Sequence, residues 1–418
     1  MNRWKILAFV FVLGMINFAD KSVAGLSAVP IMKELHLSYE QWGIVGSSFF
    51  WLFSIAGAVG AALSDRIGTK KMLAILAIIW SIVQLGAFVI TGFPFLILSR
   101  VMLGIGEGPF YATAVNHLSK WFKPDSQSFA LSILNLGNTV GALISAPILV
   151  AIISKSGWRM AYGFLGILSM IWLIFWLWYG REKPIHTIEH RIVSEEKVKL
   201  TQIISVLKTP TFIVTALACF AAYWMTSFSI VWMPSFLVQA KHFTQSQMGY
   251  VIALMGVFGV IVNIIISRYV DLIYKKNQSY RKSHVKVGGL CLILAGLLSY
   301  SITLISSTGL TVAFLSLIQG FCLLIFGLCP QVINSLLPTK KGLMSGILVG
   351  FSTSAGMIVS IVTGKFVQSA GSNIGIGFNY SILLSSSLML IFGVVFIVFA
   401  RPDYKIEKVV QESKQFGA

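Results

Sequence analysis

Charged residues are scarce in this chain: 14 acidic and 32 basic among 418, together 11%. Soluble domains carry about a quarter, so an ordinary water-soluble globular protein is excluded. Cysteine is scarcer still. Cys219, Cys291, Cys322 and Cys329 all lie in apolar runs without charged neighbours or metal-ligand spacing, which excludes a disulfide framework and leaves small buried thiols. The six histidines form no cluster: His117 falls near a helix end, and His186, His190 and His284 lie in polar loops. No nucleophile–base pair or metal-ligand set occurs within the apolar runs, so neither an enzyme nor a bound cofactor is expected.

The chain is instead 56% hydrophobic, with a mean hydropathy of +0.84. Its apolar residues fall into blocks of about 20, the length of a helix crossing roughly 30 Å of hydrocarbon. The fold class predicted is an all-α polytopic membrane protein with twelve spans: 6–28, 41–63, 72–92, 94–117, 128–153, 160–180, 210–238, 246–270, 285–306, 309–332, 342–368 and 376–400. The opening MNRWKILAFVFVLGMINFADKS imitates a signal peptide but lacks a small-residue cleavage site, so it is read as a retained first span. The expected domains are a six-helix bundle over 1–180, a linker over 181–208, a second six-helix bundle over 209–400 and a tail over 401–418. The end of the linker, KLTQIISVLKTP, has apolar residues at helical spacing and is expected to lie along the membrane surface.

Basic residues orient the chain. With the N-terminus inside, only Lys33, Lys155, Arg159, Lys241 and Lys365 lie outside, Lys21 and Arg100 lie within spans, and the other 25 are cytoplasmic. Both termini are therefore expected inside. The formal +18 reflects topology and anionic lipid rather than nucleic acid. A monomer in the plasma membrane, for a bacterium the inner membrane, is expected. The halves also look repeated. GAALSDRIGTKK after span 2 has a counterpart in IISRYVDLIYKK after span 8, and KWFKPDSQ after span 4 in LLPTKKG after span 10. Such a repeat suggests two bundles rocking about a central site.

Four charges interrupt the apolar spans: Asp20 and Lys21 in span 1, Arg100 and Glu107 in span 4. Each costs about 2.5–3.5 kcal/mol at a helix centre, so a compensating arrangement is required. Asp20 lies about 21 Å from the cytoplasmic edge and Arg100 about 9 Å below the outer one, at 1.5 Å per residue, which puts them level. Glu107 lies about 10 Å deeper than Arg100 and only about 20° around the helix from it. Asp20 and Lys21 point about 100° apart, so one pairs with a neighbouring helix and the other faces a cavity. Asp20 with Arg100 is the preferred pair. The four charges sum to zero when both carboxylates are ionised, and protonating one leaves a net +1 pocket that favours an anion. This is a physical basis for proton–anion symport. The plain alternative is a pair of structural ion bridges between spans 1 and 4. Gly104, Gly106, Gly108 and Pro109 thin one face of span 4, allowing close approach or bending.

With these residues in view, the chain resembles the major facilitator superfamily and, within it, the anion:cation symporter family. INFADKS is similar to that family's span 1 motif, RVMLGIGEGPF to its Arg-x3-Gly-x2-Glu motif, and VWMPSFL to its span 7 motif. KWF and SGWRMAY resemble its flanks, and GAALSDRIGTKK resembles the superfamily's loop motif. The resemblance implies that Asp20 and Glu107 handle a proton, that Lys21 stands where an arginine holds substrate carboxylate, and that Arg100 couples the two. It places Asp65, Arg66 and Lys70 in a cytoplasmic gate. The chain departs from the family at Lys21, at Phe53 where tyrosine is common, and in GILVGFSTSAG, where Ser352, Thr353 and Ser354 stand without the family's asparagines. These departures turn the expected substrate from a sugar acid toward a smaller carboxylate or an amino acid. Asn135 and Asn138, with Tyr223, Trp224, Ser227, Gln319 and Ser352, are further candidates for substrate contact, and Gln84 and Asn263 are polar groups of the same standing. For each of these, helix–helix hydrogen bonding is an equal alternative.

The expected function is proton-coupled uptake of a small organic anion by alternating access, with sodium open as the coupling ion. A proton-driven exporter on the same fold is the first rival, and a transport-dead sensor the second.

Overall fold

In the computed structural model, residues 3–122, 124–182, 200–305 and 307–403 are described. The sequence-predicted tail therefore lies outside the described residues beyond Asp403, as does the linker over 183–199, with His186 and His190. The described residues are helical throughout, with no strand among them. Twelve helical segments are long and apolar enough to cross a membrane: Arg3–Leu26, Tyr39–Ile67, Thr69–Val89, Phe93–Trp121, Phe129–Ser156, Trp158–Tyr179, Pro210–Val231, Gln245–Asn277, Arg281–Leu304, Thr308–Leu336, Pro338–Ser369 and Ile374–Phe399. They are called spans 1 to 12. The helix expected at the end of the linker is Leu200–Leu207.

Two spans are broken, and the breaks explain each other. Span 2 consists of helices Tyr39–Ser48 and Phe53–Ile67, and span 4 of Phe93–Glu107 and Phe110–Trp121. Pro109 cannot supply an N–H to continue the first helix of span 4. Gly104 and Gly108 present a bare strip to span 2. A Cβ at Gly104 would lie 2.1 Å from the Phe49 carbonyl oxygen, and one at Gly108 2.2 Å from that of Phe53. Only glycine admits backbone at that distance.

The chain gathers into two compact units, Met1–Val193 with Ser227–Val257 and Gly356–Ser381, and Ser194–Thr226 with Phe258–Ala355 and Ile382–Ala418. In the first, span 1 packs along span 5 and span 3 along span 6. The Trp172 indole of span 6 donates to the Phe9 carbonyl at 2.8 Å. Directly after span 7, the Trp232 indole meets the part of span 11 in this unit, donating to the Ser360 carbonyl at 3.2 Å. In the second unit, the Trp224 indole donates to Ser385 at 3.0 Å and the Ser386 hydroxyl to the Gly296 carbonyl at 2.7 Å.

Each unit also carries the same end-capping device. Just after span 6, Glu182 accepts from the Lys70 N–H at 2.6 Å and the Thr69 hydroxyl at 2.9 Å, at the start of span 3. Just after span 12, Asp403 accepts from the N–H groups of Tyr280 and Arg281 at 3.0 and 3.1 Å, and from Ser279, at the start of span 9. A carboxylate at a helix N-terminus satisfies donors that have no partner within the helix and meets the positive end of its dipole.

Candidate functional site

The four membrane charges come together in the first unit. Asp20, Arg100 and Glu107 are buried, with 0, 4 and 1% of their surface exposed. Helical geometry separates the two charges of span 1: Asp20 turns toward span 3 and Lys21 toward span 4. Asp20 Oδ1 accepts from Gln84 Nε2 at 2.6 Å. Lys21 Nζ lies 3.4 Å from Glu107 Oε2 and donates to Asn17 Oδ1, one turn back, at 2.7 Å. The Lys21 side chain is 24% exposed and that of Glu107 fully buried. Lys21 is thus the open end of the pair. The aromatic rings at the break in span 2 complete the cluster, with Lys21 over Phe53 at 5.6 Å and Arg100 over Phe49 at 5.2 Å.

The expected Asp20–Arg100 ion pair is not present: among the described residues, no ion pair within 4 Å joins them. Gln84 of span 3 takes one carboxylate oxygen instead. Arg100 still acts electrostatically on Asp20 and on the Tyr162 hydroxyl of span 6. Depth along a helix therefore does not identify which neighbouring helix supplies the contact.

Much of the cluster's hydrogen-bonding capacity is unused. Asp20 Oδ2, Glu107 Oε1, and Arg100 Nε and Nη1 are buried without a hydrogen-bond partner among the described residues, and Glu107 Oε2 has the Lys21 ammonium at 3.4 Å as its ion-pair partner. An unmade bond at a buried group costs about 1–3 kcal/mol, more where it is charged. Two cations beside two carboxylates with free valences can take up a proton, an anion or both.

Residues 10–281 match the Major Facilitator Superfamily. The chain belongs to that superfamily. It is 29% identical over 411 residues to a hexuronate transporter of Bacillus subtilis, covering 96% of this chain and 95% of that one. It is 26% identical over 394 residues to a probable sulfoacetate transporter of Cupriavidus necator, covering 89% of each. Among solved structures, an inward-facing, unoccupied bacterial homologue of the human lysosomal transporter Spinster superposes with a TM-score of 0.83 at 17% identity, covering 96% of this chain and 98% of that one. A D-xylose–proton symporter gives 0.79 at 15% identity, covering 96 and 99%. This member of the Major Facilitator Superfamily is accordingly a multi-pass membrane transporter.

The remaining candidates are dispersed over the transporter. In the first unit Asn135 is exposed and Asn138 half-buried, while Ser227 is buried and its hydroxyl has no hydrogen-bond partner among the described residues. In the second unit the ring of Tyr223 packs on Phe326 at 5.5 Å, and Trp224 is engaged with Ser385. Ser352 donates to its own helix at Leu348 O, 2.8 Å away. Gln319 packs against Gly259, and Asn263 accepts from Ser267 one turn on at 3.2 Å.

In the last turn of span 2, which runs on past the predicted end at residue 63, Asp65 accepts from Asn116 Nδ2 at 2.7 Å, and Arg66 is exposed. Lys70 is held through its backbone by Glu182. Glu182 also pairs with Lys120 at 2.6 Å, and Thr69 lies 2.7 Å from His117 Nδ1. Although partial burial pushes the Glu182 carboxyl up, hydrogen bonds from Lys120, the Lys70 N–H and Thr69 bring it down to about 2. At the opposite end of span 6, Glu34 is bonded by Arg159 and by the Trp158 indole at 2.7 Å. The Arg159 hydrogen bond is the main cause holding its carboxyl below the usual range. Sequence reasoning passed over Glu182, Glu34 and Tyr162. Glu182 had one signal, an acid placed directly after the last apolar span of its half. Tyr162 closes the SGWRMAY stretch.

Proposed function

We propose that this transporter couples the uptake of a small organic anion to the inward movement of protons by alternating access. The observation that carries the reading is the buried group of Asp20, Lys21, Arg100 and Glu107, balanced in charge yet rich in unpartnered oxygens and N–H groups. Lys21, the more exposed cation, meets the substrate carboxylate. Arg100 links it to Asp20, and Asp20 and Glu107 exchange the proton. With one carboxylate protonated the group is net +1 and attracts an anion; losing the proton releases it. The bias of the basic residues supports both termini in the cytoplasm, with Asp65, Arg66 and Lys70 forming a gate on that side. Relatives named as hexuronate and sulfoacetate transporters support an anionic substrate.

The substrate is a carboxylate smaller than a sugar acid. The hydroxyls of Ser352, Thr353 and Ser354 bond back to their own helix at 2.8, 3.0 and 2.6 Å, and Phe53 offers a ring where a hydroxyl would recognise a polyol. The test is a thermal-shift screen of the purified protein against small carboxylates, sugar acids and amino acids at two pH values. A ligand at a hundred times its Kd adds about 2.7 kcal/mol. A small carboxylate should stabilise, and more strongly at the lower pH. Stabilisation by organic cations instead would establish the exporter reading. Repeating the low-pH arm with and without sodium separates the two coupling ions.

A further inference from the structure

Between spans 1 and 6 runs a groove of about 360 Å³, within the size range of ligand sites. Its walls are Ala8, Val12 and Ile16 from span 1 and Leu168, Ile171 and Phe175 from span 6. Its floor includes Trp172, 3% exposed and pinned to the Phe9 carbonyl. The groove is open: Val12, Ile171 and Phe175 are 40, 46 and 45% exposed. On two membrane spans that exposure faces lipid.

The groove has a polarity and a length. Lys5 is the first residue of span 1 on the groove, lining it with its aliphatic stem, and among the described residues it enters no ion pair. Trp4, Trp178 and Tyr179 are exposed near that end, with Tyr179 stacked on Phe9 at 6.4 Å. Such rings mark the level of the lipid headgroups. From Lys5 to Ile16 the helix rises about 16 Å, half of a hydrocarbon core of roughly 30 Å. The groove is therefore one leaflet deep.

We propose that it is a binding site for one anionic phospholipid of the leaflet on the N-terminal side, with an acyl chain along the groove and the headgroup phosphate at Lys5. A partner helix does not suit the groove. Helices about 10 Å across approach over small residues, whereas these walls, Ala8 apart, are branched and aromatic. An acyl chain gains no hydrophobic energy by leaving its neighbours, because lipid tails are as apolar as leucine. Selection therefore comes from the headgroup. A lysine near the membrane surface is worth about fivefold in affinity for anionic lipid.

The test titrates the purified full chain with phosphatidylglycerol or phosphatidylcholine of identical acyl chains and counts bound lipid by native mass spectrometry. The first phosphatidylglycerol should bind about fivefold more tightly than phosphatidylcholine. Lys5→Gln should level the two, and so should Val12→Trp, which fills the groove without touching the charge. Lys276→Gln, at an exposed position on span 8, should leave the preference intact. Equal binding of the two lipids to the unaltered chain overturns the proposal, as does a preference that survives both Lys5→Gln and Val12→Trp. A loss of equal size in Lys276→Gln also overturns it, since that would mean a diffuse basic surface rather than a site.

Discussion

Replacing Glu107 by glutamine keeps the side-chain volume and removes one negative charge, so the altered group resembles the protonated transporter permanently. The charge removed is the one facing Lys21 at 3.4 Å. At an effective dielectric constant of about 20, that pair attracts by roughly 5 kcal/mol before solvent is counted. Lys21 is 24% exposed, and water together with Asn17 takes up much of the difference. A net release of about 1.5–3 kcal/mol is what a charged hydrogen bond is worth. Glu107→Gln should therefore bind the anion ten- to a hundredfold more tightly than the unaltered protein at high pH, where Glu107 is ionised. The two should converge as pH falls and the carboxylate takes up its proton. The affinity of the unaltered protein thus declines with rising pH, while that of the variant stays flat. Coupling should disappear with the titration. With one proton per anion, each pH unit across the membrane is worth about 1.36 kcal/mol, a tenfold accumulation. In proteoliposomes loaded with labelled substrate, the variant should still exchange anion for anion and should equilibrate, without accumulating substrate against its gradient. Accumulation by Glu107→Gln equal to that of the unaltered protein would falsify the assignment of the proton to this residue.

Lys21→Ala removes the open cation and should weaken anion binding by about ten- to a hundredfold; isothermal titration at low pH measures it, and an unchanged Kd takes Lys21 out of the site. Glu182→Gln should lower thermal stability at pH 7 by about 1 kcal/mol, because the Glu182 side chain is 34% exposed and solvent discounts the ion pair. The sign follows from a folded-state value of about 2 against an ordinary 4.5. The stabilisation is complete above 4.5 and fades as pH falls toward 2, so the gap between variant and parent should narrow on acidification, and a gap that widens contradicts the cap. Gly104→Ala pushes a methyl group against the Phe49 carbonyl, 2.1 Å away, and should cost about 1–3 kcal/mol of stability. Gly86→Ala, where nothing lies within 4 Å, is the matched control in the same melting assay.

The spans were legible because a bilayer demands about 20 apolar residues per crossing, whatever the tertiary structure. The four charges were legible for a related reason: their cost at mid-membrane makes accidental placement improbable. Which side chains they meet was not. A position along a helix gives depth, and a position around it gives an angle relative to that helix alone. Asp20 and Arg100 are expected at one level, yet Gln84 reaches Asp20 from span 3 at 2.6 Å, because neither quantity says which neighbour stands in the direction of the side chain. The caps failed to register for another reason. Glu182 and Asp403 lie in polar stretches where hydrophobic periodicity ends, so their partners at Lys70 and Arg281 are set only by how helices return on themselves. Yet both acids follow the last helix of a six-span half, Glu182 after Trp158–Tyr179 and Asp403 after Ile374–Phe399, and both reach the first residues of the third helix. Aligning the two halves by their helix ends, rather than by loop motifs, would have brought these carboxylates into register. Closing the third helix with an acid from the sixth is thus a property of the repeat itself, while the four membrane charges belong to one copy of it.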